Sequence, residues 1–137
     1  MRIVLDVNVL ASSVLKIGSV PWIVVEITSG TDHQLVLSEE MVAKLDEVLT
    51  RPYFASRIPD SRRIEFFDRI RKLARPEAVD KTITGFADDT EDDIVLGTAV
   101  AGSADVIVTG DKGLLALNPF RGIAIVTARD FLDLIDS

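Results

Sequence analysis

The chain has 137 residues, of which 47% are hydrophobic, and this suffices for one domain with a buried core, which we expect to span residues 1–137. It has no cysteine and a single histidine, which argues against disulfides, thiolate metal sites and multi-histidine metal sites. A net charge of −7 argues against a general nucleic-acid coat protein, since such proteins usually have a basic surface. With no apolar run of roughly 18 residues and no signal-peptide pattern, we expect a soluble cytoplasmic protein without a membrane partner.

Short apolar runs alternate along the chain with segments of helical periodicity. The apolar runs predict four strands, at residues 2–5, 34–37, 105–109 and 123–126. The periodic segments predict helices at residues 20–27, 39–49, 61–74, 90–101 and 128–136, and a short helical turn at 114–117. A loop is expected around Gly18, and Thr90 is expected to start its helix in a capping box with Asp93. This alternation predicts an α/β fold with a central, mostly parallel sheet and helices on both faces.

Three aspartates lie where such a fold would place a functional site. Asp6 follows the first predicted strand, Asp111 follows the third, and Asp92 lies at the start of a helix. Because ligands of open α/β sheets bind at the carboxyl ends of the strands, we expect these side chains to meet there. Three adjacent carboxylates repel one another unless a cation or a shared proton neutralises them. Oxygen-only ligands favour Mg²⁺ or Mn²⁺, and such an ion could activate water for the hydrolysis of a nucleic acid.

Several motifs, in order along the chain, resemble a known family. They are DVNVL at residues 6–10, LSEEM at 37–41, LDEVLTRP at 45–52, DTEDDIVL at 89–96 and ADVIVTGDKGLL at 104–115. Together they resemble PIN domains over essentially the whole chain, and are most similar to the branch described as toxin components of bacterial toxin–antitoxin systems. The resemblance implies a three-layer α/β/α fold and a Mg²⁺- or Mn²⁺-dependent endoribonuclease. It also implies RNA as the substrate, a cognate antitoxin protein as the inhibitor, and a homodimer.

The resemblance also assigns roles to individual residues by their position in the motifs. It implies that Asp6, Asp92 and Asp111 are the metal-binding, catalytic residues, and that Asn8 and Thr109 steady these carboxylates or a water molecule. From the sequence alone, Asn8 could equally form a turn, and Thr109 could be an ordinary strand residue.

One position departs from the family pattern, because Lys44 stands where the family has a glutamate. A protonated lysine cannot bind a cation. Glu40 and Glu47 share a helical face with Lys44, so either carboxylate could assist the aspartates instead. Two alternatives stay open. The site is impaired and the chain acts by binding RNA or an antitoxin, or the Lys44 ammonium occupies the cation's place among the aspartates.

Residues 51–75 carry eight basic side chains against three acidic ones. Within this segment Arg62 and Arg63 are candidates for contacts with the RNA backbone, as is Lys112 beside Asp111. A solvated charged surface is the common alternative for such a segment. A third functional class is a phosphate-accepting aspartate of the response-regulator kind, which predicts labelling of one aspartate by a small phosphodonor. No lysine is placed by a pattern that would support that class.

Overall fold

The structure is a computed structural model that describes residues 1–136. Within these residues there are five strands: β1 (Arg2–Leu5), β2 (Gln34–Leu37), β3 (Arg75–Pro76), β4 (Val106–Val108) and β5 (Ala124–Val126). The same residues form eight helices: α1 (Val7–Leu15), α2 (Val20–Thr28), α3 (Glu39–Leu49), α4 (Pro52–Ala55), α5 (Asp60–Leu73), α6 (Thr90–Ala101), α7 (Lys112–Leu115) and α8 (Ala128–Asp136).

All five strands are parallel and lie in the order β3-β2-β1-β4-β5. In the central strand β1, Ile3 is in register with Leu35 of β2 on one side and with Val106 of β4 on the other. Ile3, Val4 and Leu5 are completely buried, as expected of a parallel strand covered by helices on both faces. The predicted three-layer α/β/α fold with a central parallel sheet is confirmed.

The strand order creates a crevice beside β1. The chain moves outward from β1 to β2 and β3, and then returns through α6 to β4, on the other side of β1. Right-handed crossovers therefore put α1 to α5 on one face of the sheet and α6 and α7 on the other. Such a reversal opens a crevice at the carboxyl ends of β1 and β4, which is where α/β sheets bind their ligands.

Helix α1 was not predicted. The loop expected around Gly18 is present, and Gly18 has a φ of +87°, but the residues before it are helical from Val7 to Leu15. Apolar and small residues are buried on most sides of this helix; they are Val7, Val9, Leu10, Ala11, Ser13 and Val14. A helix buried on most sides has no polar stripe, so its sequence carries no clear period of 3.6 residues.

Two short elements also lack a sequence signal. Strand β3 contains only Arg75 and Pro76, both exposed, and its pairing with Val36 and Leu37 of β2 makes it the sheet edge. The predicted count of four strands was therefore one too few. Helix α4 is a single turn that starts at Pro52, in a segment for which no helix was predicted.

The start of α6 differs from the predicted capping box. Asp89, and not Thr90, is the N-cap, and its side chain accepts a hydrogen bond from the Glu91 amide at 2.9 Å. Asp93 instead accepts hydrogen bonds from the amides of Gly85 at 2.9 Å and Ala87 at 3.0 Å. Asp93 therefore holds the preceding loop against the first turn of α6, because that loop has no sheet or helix partner for these amides.

The described helices are short, and the longest, α5, has 14 residues. Among residues 1–136, no single helix has the length and apolar character needed to cross a membrane. Helices α1 and α2 meet those two criteria only when they are taken together across a bend of 112°.

Candidate metal centre

Asp6 leaves β1 directly into the crevice. Its side chain is 7% exposed, and its Oδ2 accepts a hydrogen bond from the Thr109 hydroxyl at 2.7 Å. Asp6 precedes the first residue of α1 but makes no side-chain cap bond to that helix. Burial raises the pKa of Asp6, the Thr109 hydrogen bond opposes this rise, and the charges of Asp111 and Glu91 add to it.

Thr109 connects the first aspartate to the third. It is completely buried at the end of β4, where its hydroxyl donates to Asp6 and accepts a hydrogen bond from the Asp111 amide at 3.0 Å. The Asp111 Oδ2 in turn accepts from the Leu114 amide at 2.9 Å, which caps α7. One hydroxyl therefore links the carboxylate that follows β1 to the main chain that follows β4.

Asp92 comes to the same place from the opposite side, in the first turn of α6. Its pKa is raised to about 7, first by desolvation, then by the charges of Asp111 and Asp6, and further by a hydrogen bond with the Asp111 side chain. The helix dipole would favour ionised Asp92, but only by up to about 1 kcal/mol. Burial and repulsion outweigh this effect and hold the pKa of Asp92 near neutrality.

The three aspartates line one cavity of about 490 Å³ between α3 and α6. Of the other predicted residues, Asn8, Glu40, Lys44 and Glu47 also line it. Asn8 is exposed in the first turn of α1 and makes no hydrogen bond to the aspartates in the described structure. Three polar residues of the cavity wall had not been singled out from the sequence as site residues: Arg51, Asp89 and Glu91.

Lys44 does not lie among the aspartates. Its Nζ is 2.7 Å from Glu91 Oε1 and 3.4 Å from Glu47 Oε2, and the hydrogen bond with Glu91 is the largest cause of its raised pKa. The alternative in which the Lys44 ammonium takes the cation's place therefore does not fit the structure. Glu91 immediately precedes Asp92 on α6 and meets the lysine before any aspartate does.

The two glutamates predicted to assist differ in their surroundings. Glu47 accepts from both Lys44 and Arg51, the latter at 3.0 Å, and these cations lower its pKa, Arg51 first. Glu40 is exposed at the cavity and has no hydrogen bond or ion pair with any other described residue. Of the two, Glu40 is the carboxylate that is free to turn toward the aspartates.

The cations predicted to hold RNA do not line this cavity. Arg63 pairs with Asp46 at 3.9 Å and Asp60 at 3.7 Å, which places it against α3. Arg62 lines a separate groove of about 290 Å³ formed by α1, α2 and α5. Lys112 is exposed beside Asp111, outside the cavity wall. The guanidinium that does line the cavity is Arg51, which follows α3 directly.

The donor chemistry of the aspartates fits a hard divalent cation. All three offer only carboxylate oxygens, which Mg²⁺ and Mn²⁺ prefer, and a bound cation would relieve the repulsion that raises the pKa of Asp92. Within residues 1–136, however, no three histidine, aspartate or glutamate side chains already form a metal-binding group. Side-chain rotations would be needed to bring the oxygens to a common point.

The chain is similar to known proteins in both sequence and fold. Residues 2–113 match a family model described as PIN domain. The crystal structure of PAE2754 from Pyrobaculum aerophilum is similar in fold, with a TM-score of 0.65 and 14% sequence identity. The similarity covers 100% of this chain and 91% of that chain. No curated protein matches the chain.

Proposed function

The chain belongs to the PIN domain family, whose members are generally nucleases, and on that premise we propose that it is a Mg²⁺- or Mn²⁺-dependent endoribonuclease that hydrolyses RNA phosphodiester bonds. The observation that supports this proposal most directly is the meeting of Asp6, Asp92 and Asp111 in one cavity, with the pKa values of the first two raised. A fold that only needed a stable core would gain nothing from this repulsion.

Each of the chain's own residues has a distinct task in this proposal. Asp6, Asp92 and Asp111 would hold the divalent ion, which when bound lowers the pKa of a water molecule and polarises the phosphodiester. Thr109 orients the Asp6 carboxylate and holds the Asp111 main chain, and the Leu114 amide orients the Asp111 carboxylate. Neither carboxylate then has to be reoriented from a disordered state, and this favours binding of the ion.

Lys44 has a role compatible with activity. The ion pair with Glu91 neutralises a carboxylate that lies close enough to Asp6 to raise its pKa. The cavity wall is then less negative, which reduces the repulsion between the protein and an RNA phosphate. The position of Lys44 therefore favours the enzyme over a catalytically inactive module that acts only by binding RNA or an antitoxin.

We further propose that the protein acts in the cytoplasm as the toxin of a toxin–antitoxin system, and that a cognate antitoxin protein inhibits it. A homodimer is part of the same proposal. Its support is the exposure of two isoleucines, Ile17 at 70% and Ile64 at 53%, of which Ile17 lines the second groove. Exposed apolar side chains at a groove are common at contacts between proteins.

The enzyme proposal is tested by titrating Mn²⁺ into the protein by calorimetry and by incubating it with RNA. We expect Mn²⁺ binding that Asp6→Asn weakens by about tenfold or more, and an RNA cleavage rate that falls by about 100-fold or more in Asp6→Asn and Asp92→Asn. Asp88→Asn is the matched control. Asp88 is an exposed acidic residue in the loop before α6, and its side chain does not line the cavity. Absence of Mn²⁺ binding together with uncut RNA would overturn the proposal.

A further inference from the structure

An exposed aromatic side chain lies close in sequence to the wall of the cavity that holds the three aspartates. Arg51 lines the cavity and is the N-cap of α4, and Tyr53 is the second residue of that helix. Tyr53 is 56% exposed, although burying a tyrosine ring usually contributes to stability. The ring is therefore presented to solvent only two residues away from the wall of the proposed active site.

The ring of Tyr53 forms a stack with Arg57. The Arg57 guanidinium carbon is 4.0 Å from the centre of the ring, and its Nη1 donates to the Tyr53 carbonyl at 2.7 Å. The edge of this stack rests on Phe54, whose ring centre is 5.0 Å from that of Tyr53. Phe54 packs against the core, and the buried Ile58 anchors the end of the segment. The stack is thus held in place before any ligand binds.

Arg57 also carries a charge that nothing nearby compensates. Its guanidinium donates to the Tyr53 carbonyl and the Ser56 hydroxyl, and it has no carboxylate partner within the described chain. Arg51 and Lys44, by contrast, are both paired with Glu47. In a protein with a net charge of −7, an arginine without a carboxylate partner, six residues after Arg51 of the cavity wall, is a place where a phosphate can be held.

We propose that the Tyr53–Arg57 stack binds an unpaired nucleobase of a single-stranded RNA whose backbone enters the neighbouring metal cavity. Tyrosine rings and arginine planes both stack on bases, and an adjacent positive charge holds the phosphate that follows. This inference rests on the proposed function for the identity of the polymer. Stacking depends little on sequence, so the stack would select unpaired RNA over duplex and would not select a particular base.

The test measures binding and not cleavage, so its failure is distinguishable from that of the proposed function. Fluorescence anisotropy with Mg²⁺ present would compare two labelled probes in an Asp92→Asn background: hexa-adenylate RNA, and the same backbone without bases. Tyr53→Ala is expected to weaken hexa-adenylate binding by about fivefold or more and to leave the abasic probe unchanged. Tyr53→Phe should retain the affinity for hexa-adenylate, because it keeps the ring.

Two further variants separate the contribution of base stacking from that of positive charge. Arg57→Gln should weaken binding of both probes and reduce the dependence of affinity on salt. Phe86→Ala is the matched control, because Phe86 is also exposed, at 43%, and has Arg121 at 5.4 Å from its ring centre, yet it does not line the cavity. It should leave both affinities unchanged.

Three outcomes would overturn the inference. The first is an unchanged hexa-adenylate affinity in Tyr53→Ala, and the second is an equal loss for both probes, which would indicate a structural role. The third is unchanged RNA binding with a loss of self-association in sedimentation, which would assign the stack to a protein interface. If the parent protein never cuts RNA but its binding of hexa-adenylate still depends on Tyr53, the proposed catalysis fails and the stacking site stands.

Discussion

The side chains of Asp6, Asp92 and Asp111 have different hydrogen-bond partners, and these partners affect how far the pKa values of Asp6 and Asp92 are raised. Asp6 is buried but receives a hydrogen bond from Thr109, and Asp111 is tied to the amide of Leu114. Asp92 has neither support, and among the three its pKa is the one raised to a value near neutrality. Asp92 therefore carries most of the cost of bringing the carboxylates together.

Replacing Asp92 with asparagine should stabilise the protein when no metal is bound. The ordinary pKa of an aspartate, 3.8, applies to Asp92 in the unfolded chain, and in the folded protein its pKa is about 7. Protonation of Asp92 therefore favours the folded state at low pH, and this contribution to stability is lost as the pH rises through about 7. We expect Asp92→Asn to raise Tm in EDTA by a few degrees at pH 8, corresponding to about 1 kcal/mol because solvent screens the half-exposed group. The difference should shrink at pH 5.

Thermal denaturation at the two pH values measures this effect. Asp88→Asn, which removes an exposed charge from the loop before α6, controls for the change in net charge. An equal rise in Tm at pH 5 and pH 8 would show that the repulsion at Asp92 is not its source.

Lys44 gives a second prediction at the scale of single residues. Lys44→Glu should strengthen Mn²⁺ binding by about tenfold, because it exchanges a cation for a carboxylate on the cavity wall. The same change should lower the metal-free Tm, since Glu91 and Glu47 lose the cation that they share. Calorimetry and thermal denaturation provide the two measurements, and Lys44→Met separates the loss of the cation from the gain of a carboxylate. An unchanged Mn²⁺ affinity in Lys44→Glu would mean that residue 44 lies too far from the bound ion to matter.

At the scale of elements, the position of α6 depends on how closely the preceding segment can approach it. The Asp80 amide donates to the Gly97 carbonyl at 3.1 Å, and a Cβ at position 97 would lie 2.7 Å from Val79 Cγ1 and 2.8 Å from the Asp80 carbonyl oxygen. Only glycine allows this contact. The contact packs residues 79–80 against the middle of the helix whose first turn carries Asp92.

Gly97→Ala should therefore destabilise the fold, although alanine normally favours a helix over glycine by about 1 kcal/mol. The clash with a backbone carbonyl cannot be relieved by rotating a side chain, and we expect a loss of roughly 1 to 3 kcal/mol in the free energy of unfolding. Urea denaturation measures it. Gly110→Ala is the control, because no atom outside its chain neighbours lies within 4 Å of a Cβ there and its φ is not in the left-handed region. A Gly97→Ala protein as stable as the parent would show that the segment before α6 can move away freely.

At the scale of the whole molecule, the position of the site follows from the topology. The reversal in strand order between β1 and β4 brings the ends of two strands 103 residues apart into contact, as the hydrogen bond between Asp6 and Thr109 shows. Helix α6, which makes the return crossover, delivers Asp92 from the opposite side. Three acidic residues that are distant in sequence thus share one cavity, and each lies at the end of a strand or in the first turn of a helix.

The sequence by itself determined the class of the fold and the three aspartates. Buried parallel strands are short uninterrupted apolar runs, so β1, β2, β4 and β5 were visible, and each of the two strand-end aspartates followed such a run. The same local logic failed for α1, which is buried on most sides, and for β3, whose two residues are exposed at the sheet edge. Local patterns report a contrast between buried and exposed faces, and these two elements offer none.

Only the tertiary structure decided which charges meet at the cavity. Lys44 pairs with Glu91, 47 positions away, and Arg51 joins the cavity wall, whereas Arg63 turns to Asp46 and Arg62 lies in the other groove. Charged side chains on helices are long and solvated, so their partners depend on how the helices cross and not on any periodicity along the chain. The sequence therefore predicted which aspartates meet in one cavity, and the packing of α3 against α6 determined how the charges around them are balanced.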